Sequence, residues 1–283
     1  MGIGGQRTRG KLNSRQDERR IGLARALSKL GYSSRSQASE LIRDGRVRLN
    51  GRSTRNPEAS VRLGNDHIEV DAKPVAVREH VYLMMNKPRG VVTTASDEKG
   101  RETVYDLLAG DLPWVAPVGR LDKASEGVLL LTNDSEWAGR VLAPASHIDK
   151  TYHVHIDRIA DNALLDSMLR GIRASSGELL RVKLVHLLRS GEKNSWIEVV
   201  LDEGRNRQIR RILENLGVEI HRLVRVAIGP LQLGELEKGA TRRVTSVEKR
   251  SIDELLEGSV RLQKKSGAKL HSHKKFQTQK ERT

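Results

Sequence analysis

The sequence predicts an α+β protein with two folded units, a small helix-hairpin and strand unit followed by a larger one built on a sheet. Three observations carry that reading. The chain has 283 residues, enough for a sizeable core beside a separate accessory unit. Within residues 21–71 the hydrophobic period shortens from a helical one to strict alternation. From residue 81 onward, strand-like and helix-like stretches alternate irregularly, unlike the regular repeat of a doubly wound sheet.

Taken in order, residues 1–20 hold six basic and two acidic side chains and little to bury, so a disordered basic arm is expected there. Ile21, Ala24, Leu27 and Leu30 then share one helical face, and Gly31 supplies a stop. Ser33 or Ser34 can cap a second helix whose stripe is Ala38, Leu41 and Ile42 and which Gly45 ends. Val47 and Leu49 alternate with Arg46 and Arg48 before an Asn50-Gly51 turn, and Ile68 and Val70 form a later strand. Arg35, Arg43, Arg46, Arg48 and Arg52 recur on this unit, which spans residues 21–71. Residues 72–80, with Pro74, read as a linker.

The larger unit covers residues 81–258. Its strand-like runs fall at residues 81–85, 127–131, 152–156, 179–188, 196–201 and 222–226, with helical patterns at 136–142, 161–169 and 206–216. Residues 259–283 carry eight basic side chains against one acidic, a second expected disordered tail.

Composition excludes several chemistries. Cysteine is absent, which removes disulfides, thiol nucleophiles and thiolate metal sites. His153 and His155 alternate on one strand without further ligands nearby in sequence, so no metal is expected. Neither a GxxxxGK-S/T nucleotide loop nor a GxSxG elbow occurs, and no cofactor is expected. No apolar run is long enough to span a bilayer and none follows the first basic residues. No membrane association is expected, and the cytoplasm is the expected compartment. The net charge is +15, and eleven of those charges lie in the two ends, which favours a phosphate-rich polymer as partner. With four Tyr, three Trp and one Phe, a single-strand binder built on many stacking platforms is disfavoured.

Two segments carry a resemblance. Residues 35–51, reading RSQASELIRDGRVRLNG, resemble the RNA-binding domain named after small-subunit ribosomal protein S-four. In that family the helix pair meets structured RNA largely through backbone and shape contacts, which the arginines suit. Residues 119–134, GRLDKASEGVLLLTND, place a charged loop ahead of an apolar strand and resemble the catalytic motif of pseudouridine synthases, specifically the Rsu/Rlu branch that modifies ribosomal RNA. Val128 stands where that pattern has Leu. The likeness continues through NKPRGVVT at 86–93, KTYHV at 150–154, EGRNRQIRR at 203–211 and LVRVAIGPL at 223–231.

The resemblance implies a mixed, largely antiparallel sheet for the larger unit, and an isomerase that needs no metal or cofactor. The reaction breaks the bond between N1 and C1′, turns the uracil over and joins C5 to C1′. It requires an ionised carboxylate, a group to manage the C5 proton and a dry pocket for an unstacked base. By motif position the carboxylate is Asp122. Attack at C1′, attack at C6 and proton removal to a glycal are all open to it. Tyr152 would pack on the uracil, and Arg210 would pair with the carboxylate. Arg120 would fill the gap left by the flipped nucleotide, or clamp its phosphate. Arg205 and Arg207 are candidate phosphate contacts, and Leu223 and Ile228 candidate walls of the uracil pocket.

The implied partner is ribosomal RNA or a pre-ribosomal particle, met by a monomer. The basic extension at 261–282 and the GRNRQ form at 204–208 favour large-subunit 23S RNA over small-subunit 16S RNA. A non-catalytic ribosome-assembly factor would have no need of Asp122, Tyr152 and Arg210 together, and a methyltransferase would need a glycine-rich cofactor loop that is not apparent.

Overall fold

The computed structural model describes residues 20–259 apart from residues 77, 96, 111, 175 and 176, so the expected basic arm and tail lie almost wholly outside the described residues. The chain forms two compact units, Met1–His80 with Pro113–Val115, and Val81–Leu112 with Ala116–Thr283.

In the smaller unit the first helix is Leu23–Lys29, starting later than the apolar stripe suggested. Ile21–Gly22 is instead drawn into a short antiparallel pair with Ser60–Val61, and Ala24 N–H donates to Pro57 O at 2.9 Å. The second helix, Arg35–Arg43, begins in a capping box in which Ser34 Oγ accepts from Gln37 N–H and Gln37 Oε1 accepts from Ser34 N–H. Val47–Leu49 turns through Asn50 and Gly51, both at positive φ, into Arg52–Ser53, and pairs on its other side with Ile68–Val70. Lys73–Pro74, read from sequence as linker, is the edge strand beyond Ile68–Val70, a place where proline's missing N–H is tolerated. Leu23, Ala26, Leu27, Ala38, Ile42 and Val47 are fully buried, while the arginines at 35, 43, 46, 48 and 52 are exposed.

Among the described residues the larger unit is built on a nine-stranded mixed sheet. Its main path runs Leu184–Ser190, Ser195–Leu201, Lys150–Ile156, Ile220–Ile228, Glu126–Thr132, Tyr82–Lys87 and Thr241–Arg243. Every pairing along it is antiparallel except that between Ile220–Ile228 and Glu126–Thr132. The run expected as one strand at 179–188 is two pieces: Leu179–Leu180 pairs with Ile172–Arg173, and Leu184–Ser190 joins the sheet.

Two apolar cores flank this sheet. Helices Asn162–Arg170 and Gln208–Asn215 contribute Met168, Ile212 and Leu213 to one, against Val154, Ile197 and Val199. Helix Ser135–Leu142 and a helix at residues 246–259 contribute Trp137, Val141, Ile252 and Leu256 to the other, against Met84, Val128 and Leu130. That last helix was not anticipated. Its signal was the reciprocal cap of Thr245 and Glu248, each accepting from the other's backbone N–H, ahead of Ile252 and Leu256 four residues apart. Among the described residues no helix is long and apolar enough to cross a membrane.

Candidate active site

Asp122 sits in the loop between strands Ala116–Val118 and Glu126–Thr132. The loop is held by its backbone. Thr93 Oγ1 donates to Leu121 O at 2.8 Å, Ser125 N–H to Asp122 O at 2.9 Å and Gly90 N–H to Lys123 O at 2.8 Å. Beneath it lies Lys87, the last residue of strand Tyr82–Lys87 and fully buried. Its Nζ donates to Pro88 O at 2.9 Å, Ser125 O at 3.0 Å and Asp122 O at 3.3 Å. Burial pushes this ammonium down to about 8, with Glu126 and Asp122 opposing the shift and Arg225 adding to it. No functional role for Lys87 was read from sequence, although a lysine closing a strand whose centre is Leu83, Met84 and Met85 was the available signal.

Helix Gln208–Asn215 brings Arg210 to the loop, where its Nη2 donates to Ala124 O at 3.0 Å and Ser125 Oγ at 3.3 Å. Its Nε lies 3.8 Å from Asp122 Oδ2, beyond hydrogen-bond reach, and is buried without an acceptor. Burial, then the charge of Arg207, pulls the Arg210 pKa below the usual arginine value. Arg207 reaches the same oxygen, its Nη1 3.6 Å from Asp122 Oδ2. The structure therefore brings Asp122, Arg210 and Arg207 together.

Tyr152 stands on strand Lys150–Ile156, half-buried against the core that holds Ile212 and Leu213, with no hydrogen bond to Asp122 among the described residues. Backbone register connects them: Tyr152 pairs with Arg225, and Arg225 with Gly127, where the strand leaves the loop. Gly127 has φ 102°, and a Cβ there would lie 2.1 Å from Arg225 O, so only glycine allows the two strands to meet. Next to it, burial alone would raise the Glu126 pKa, but the bidentate Arg222 contacts at 2.9 Å and Lys238 at 3.2 Å bring it below the ordinary value.

The remaining expected residues divide. Arg120 is exposed on the loop, as Arg35, Arg43 and Arg48 are on the smaller unit. Arg205 pairs with Glu203 and Glu178 at 2.9 Å each and donates to Leu179 O at 3.0 Å. Arg46 is likewise engaged, by Asp71 at 2.6 Å. Leu223 and Ile228 are buried in different cores. Leu223 packs in the core with Val154 and Leu213 and Ile228 in the one with Met84 and Trp137, because their strand passes between the two cores. His153 faces Glu198 at 3.1 Å, and among the described residues no cluster of His, Asp or Glu is suited to a metal ion.

A carboxylate beside two guanidinia thus stands on a mixed sheet that follows a basic helix-hairpin unit in the chain. The family model described as RNA pseudouridylate synthase matches residues 81–215, and that described as the S4 domain matches residues 21–68. The chain is 39% identical over 228 residues to a ribosomal large subunit pseudouridine synthase B of Bacillus subtilis (strain 168), covering 80% of this chain and 93% of that one. It is 36% identical over 223 residues to an uncharacterized RNA pseudouridine synthase of Aquifex aeolicus (strain VF5), covering 78% and 89%. A solved pseudouridylate synthase structure matches with a TM-score of 0.58 at 28% identity, over 82% of this chain and 99% of that one. The chain belongs to the RNA pseudouridine synthase family and is an isomerase acting on RNA.

Proposed function

We propose that this chain converts uridine to pseudouridine in large-subunit 23S ribosomal RNA, with Asp122 as the essential carboxylate. The observation that carries the reading is the convergence of Arg210 and Arg207 on Asp122 Oδ2 at 3.8 and 3.6 Å. Two guanidinia beside one carboxylate oxygen restrict the orientation of Asp122. Arg210, largely buried and tied to the loop, orients it; Tyr152, on the strand beyond Arg225, supplies a flat ring for the uracil and a polar tip near the C5 proton. In the isomerisation that proton is lost while N1 gains one, so the base leaves with its mass unchanged.

The choice of 23S over 16S RNA rests on the Bacillus subtilis relative, a large subunit enzyme by name, and on the GRNRQ segment and basic extension. The protein works as a monomer in the cytoplasm, on ribosomal RNA or a pre-ribosomal particle. The test is to offer unmodified 23S and 16S transcripts separately to the wild-type chain and to Asp122→Asn, then locate pseudouridine by chemical tagging and primer extension. A 23S stop lost in Asp122→Asn, with turnover down at least about 1,000-fold and RNA affinity within about threefold, is the expected result. A stop confined to 16S overturns the substrate. Turnover within tenfold of wild type removes Asp122 from catalysis.

A further inference from the structure

The two arginines at Asp122 are held very differently. Arg210 has a side chain 11% exposed and is tied to Ala124 O and Ser125 Oγ. Arg207 is 42% exposed, and its other contact is a long one, Nη2 to Glu214 Oε1 at 3.4 Å, on a carboxylate itself 61% exposed. Contacts of that kind between exposed charges are weak and readily exchanged. The backbone of Arg207 is in the left-handed region, φ 49°, at the N-cap of helix Gln208–Asn215 and without a side-chain cap. A bulky residue keeps that conformation where the surrounding structure imposes it, and such residues concentrate at ligand clamps and switches. Arg207 crowds one of the two oxygens through which Asp122 can meet the substrate. A substrate that comes to Asp122 Oδ2 competes with the guanidinia for space, and Arg207, the more exposed and less tied of the two, is the one able to yield it.

We infer that Arg207 guards Asp122 in the free enzyme and transfers to a phosphate flanking the target uridine when RNA binds, uncovering the carboxylate. This rests on Asp122 being the reacting group. A flexible cation with five donors is suited to such an exchange, because a phosphate offers the bidentate geometry that the 3.6 Å contact lacks. Glu214 holds the arginine in its resting position. The carboxylate is thereby kept paired while the site is empty and released by the polyanion it is meant to process.

The test uses the full chain and the shortest 23S fragment that the wild type modifies, remade with a neutral methylphosphonate at each phosphate flanking the target uridine in turn. One of the two neutral linkages should lower kcat/KM about tenfold for wild type and add nothing to the loss already present in Arg207→Gln, the signature of two groups in contact. Losses that multiply overturn the inference. Glu214→Gln is an independent check outside the catalytic machinery. By freeing Arg207 it should raise kcat/KM about threefold with kcat unchanged, and an unchanged or lower kcat/KM overturns the guard. If the wild type makes no pseudouridine in 23S RNA or in any fragment of it, the proposed reaction fails; if turnover is normal and the losses multiply, only the guard does.

Discussion

The loop that carries Asp122 and the arginine surface of the smaller unit both present charge for RNA, yet they are anchored in opposite ways. Five consecutive carbonyls of the loop, from Leu121 to Ser125, each accept a hydrogen bond, from Thr93, Lys87 and the Ser125 N–H, Gly90, Arg210 and Lys87 again. Arg35, Arg43 and Arg48 stand exposed, and Arg46 is engaged by a carboxylate that is itself half exposed. The chemistry proposed for Asp122 needs a carboxylate fixed within a fraction of an ångström, and the loop is held at each of these carbonyls. Affinity for a phosphate lattice depends on how many cations arrive, and long mobile side chains deliver them without exact placement.

The contrast is broken most directly at Lys87. Lys87→Met keeps the bulk but removes a donor from three carbonyls, of which that of Asp122 retains the Ser125 N–H, and unpaired buried acceptors are costly. Steady-state assays should show kcat roughly 100-fold lower with RNA affinity within about threefold. A kcat within threefold of wild type would mean that the loop does not depend on its support.

A smaller effect follows from pH. With the Lys87 ammonium titrating near 8, raising the pH to 9 removes most of its charge and one of its three N–H donors. The kcat should be about tenfold lower at pH 9 than at pH 7, a limb missing from Lys87→Met. Stability should move the other way. Between about 8 and 10.5 the unfolded chain holds this proton and the folded chain does not, so the Lys87 contribution to stability rises with pH across that window. Chemical denaturation of wild type and Lys87→Met at pH 8 and pH 10 compares the two slopes; equal slopes would show that Lys87 is not shifted.

The smallest effect on turnover belongs to the other region. Changing Arg35, Arg43 and Arg48 together to Gln should lower the slope of log affinity against log salt by about two to three while kcat at saturating RNA stays within about twofold. A tenfold fall in kcat would place these arginines in the chemistry and erase the distinction.

Much of this was legible in the residues. The alternation at Val47 and Leu49, the Asn50-Gly51 turn and the apolar run after Asp122 all depend on local pattern, and the strands formed within a few residues of their expected limits. The Arg210 contact to Asp122 was anticipated through the motif. What escaped depends on contacts distant in sequence. Lys87 gains its role from carbonyls 35 and 38 residues away. Arg205 and Arg207 are equivalent in the string, and only the fold gives one to Glu178 and the other to Asp122. Leu223 and Ile228 are equally apolar, and nothing local says that two cores meet along their strand.

The bond from Arg210 to Ala124 spans 86 residues of chain, and the strand after Asp122 meets its parallel neighbour only at Ile220–Ile228. On a translating ribosome Asp122 therefore emerges long before the arginines and the strand that complete its surroundings, a delay of roughly 4 to 17 s at ordinary elongation rates. Contacts of such separation form late in folding. Asp122 thus gains Arg207, Arg210 and the parallel strand only once nearly all of the sheet has been synthesised, and on the proposed function a truncated translation product carrying the aspartate motif would lack the arginines that flank it.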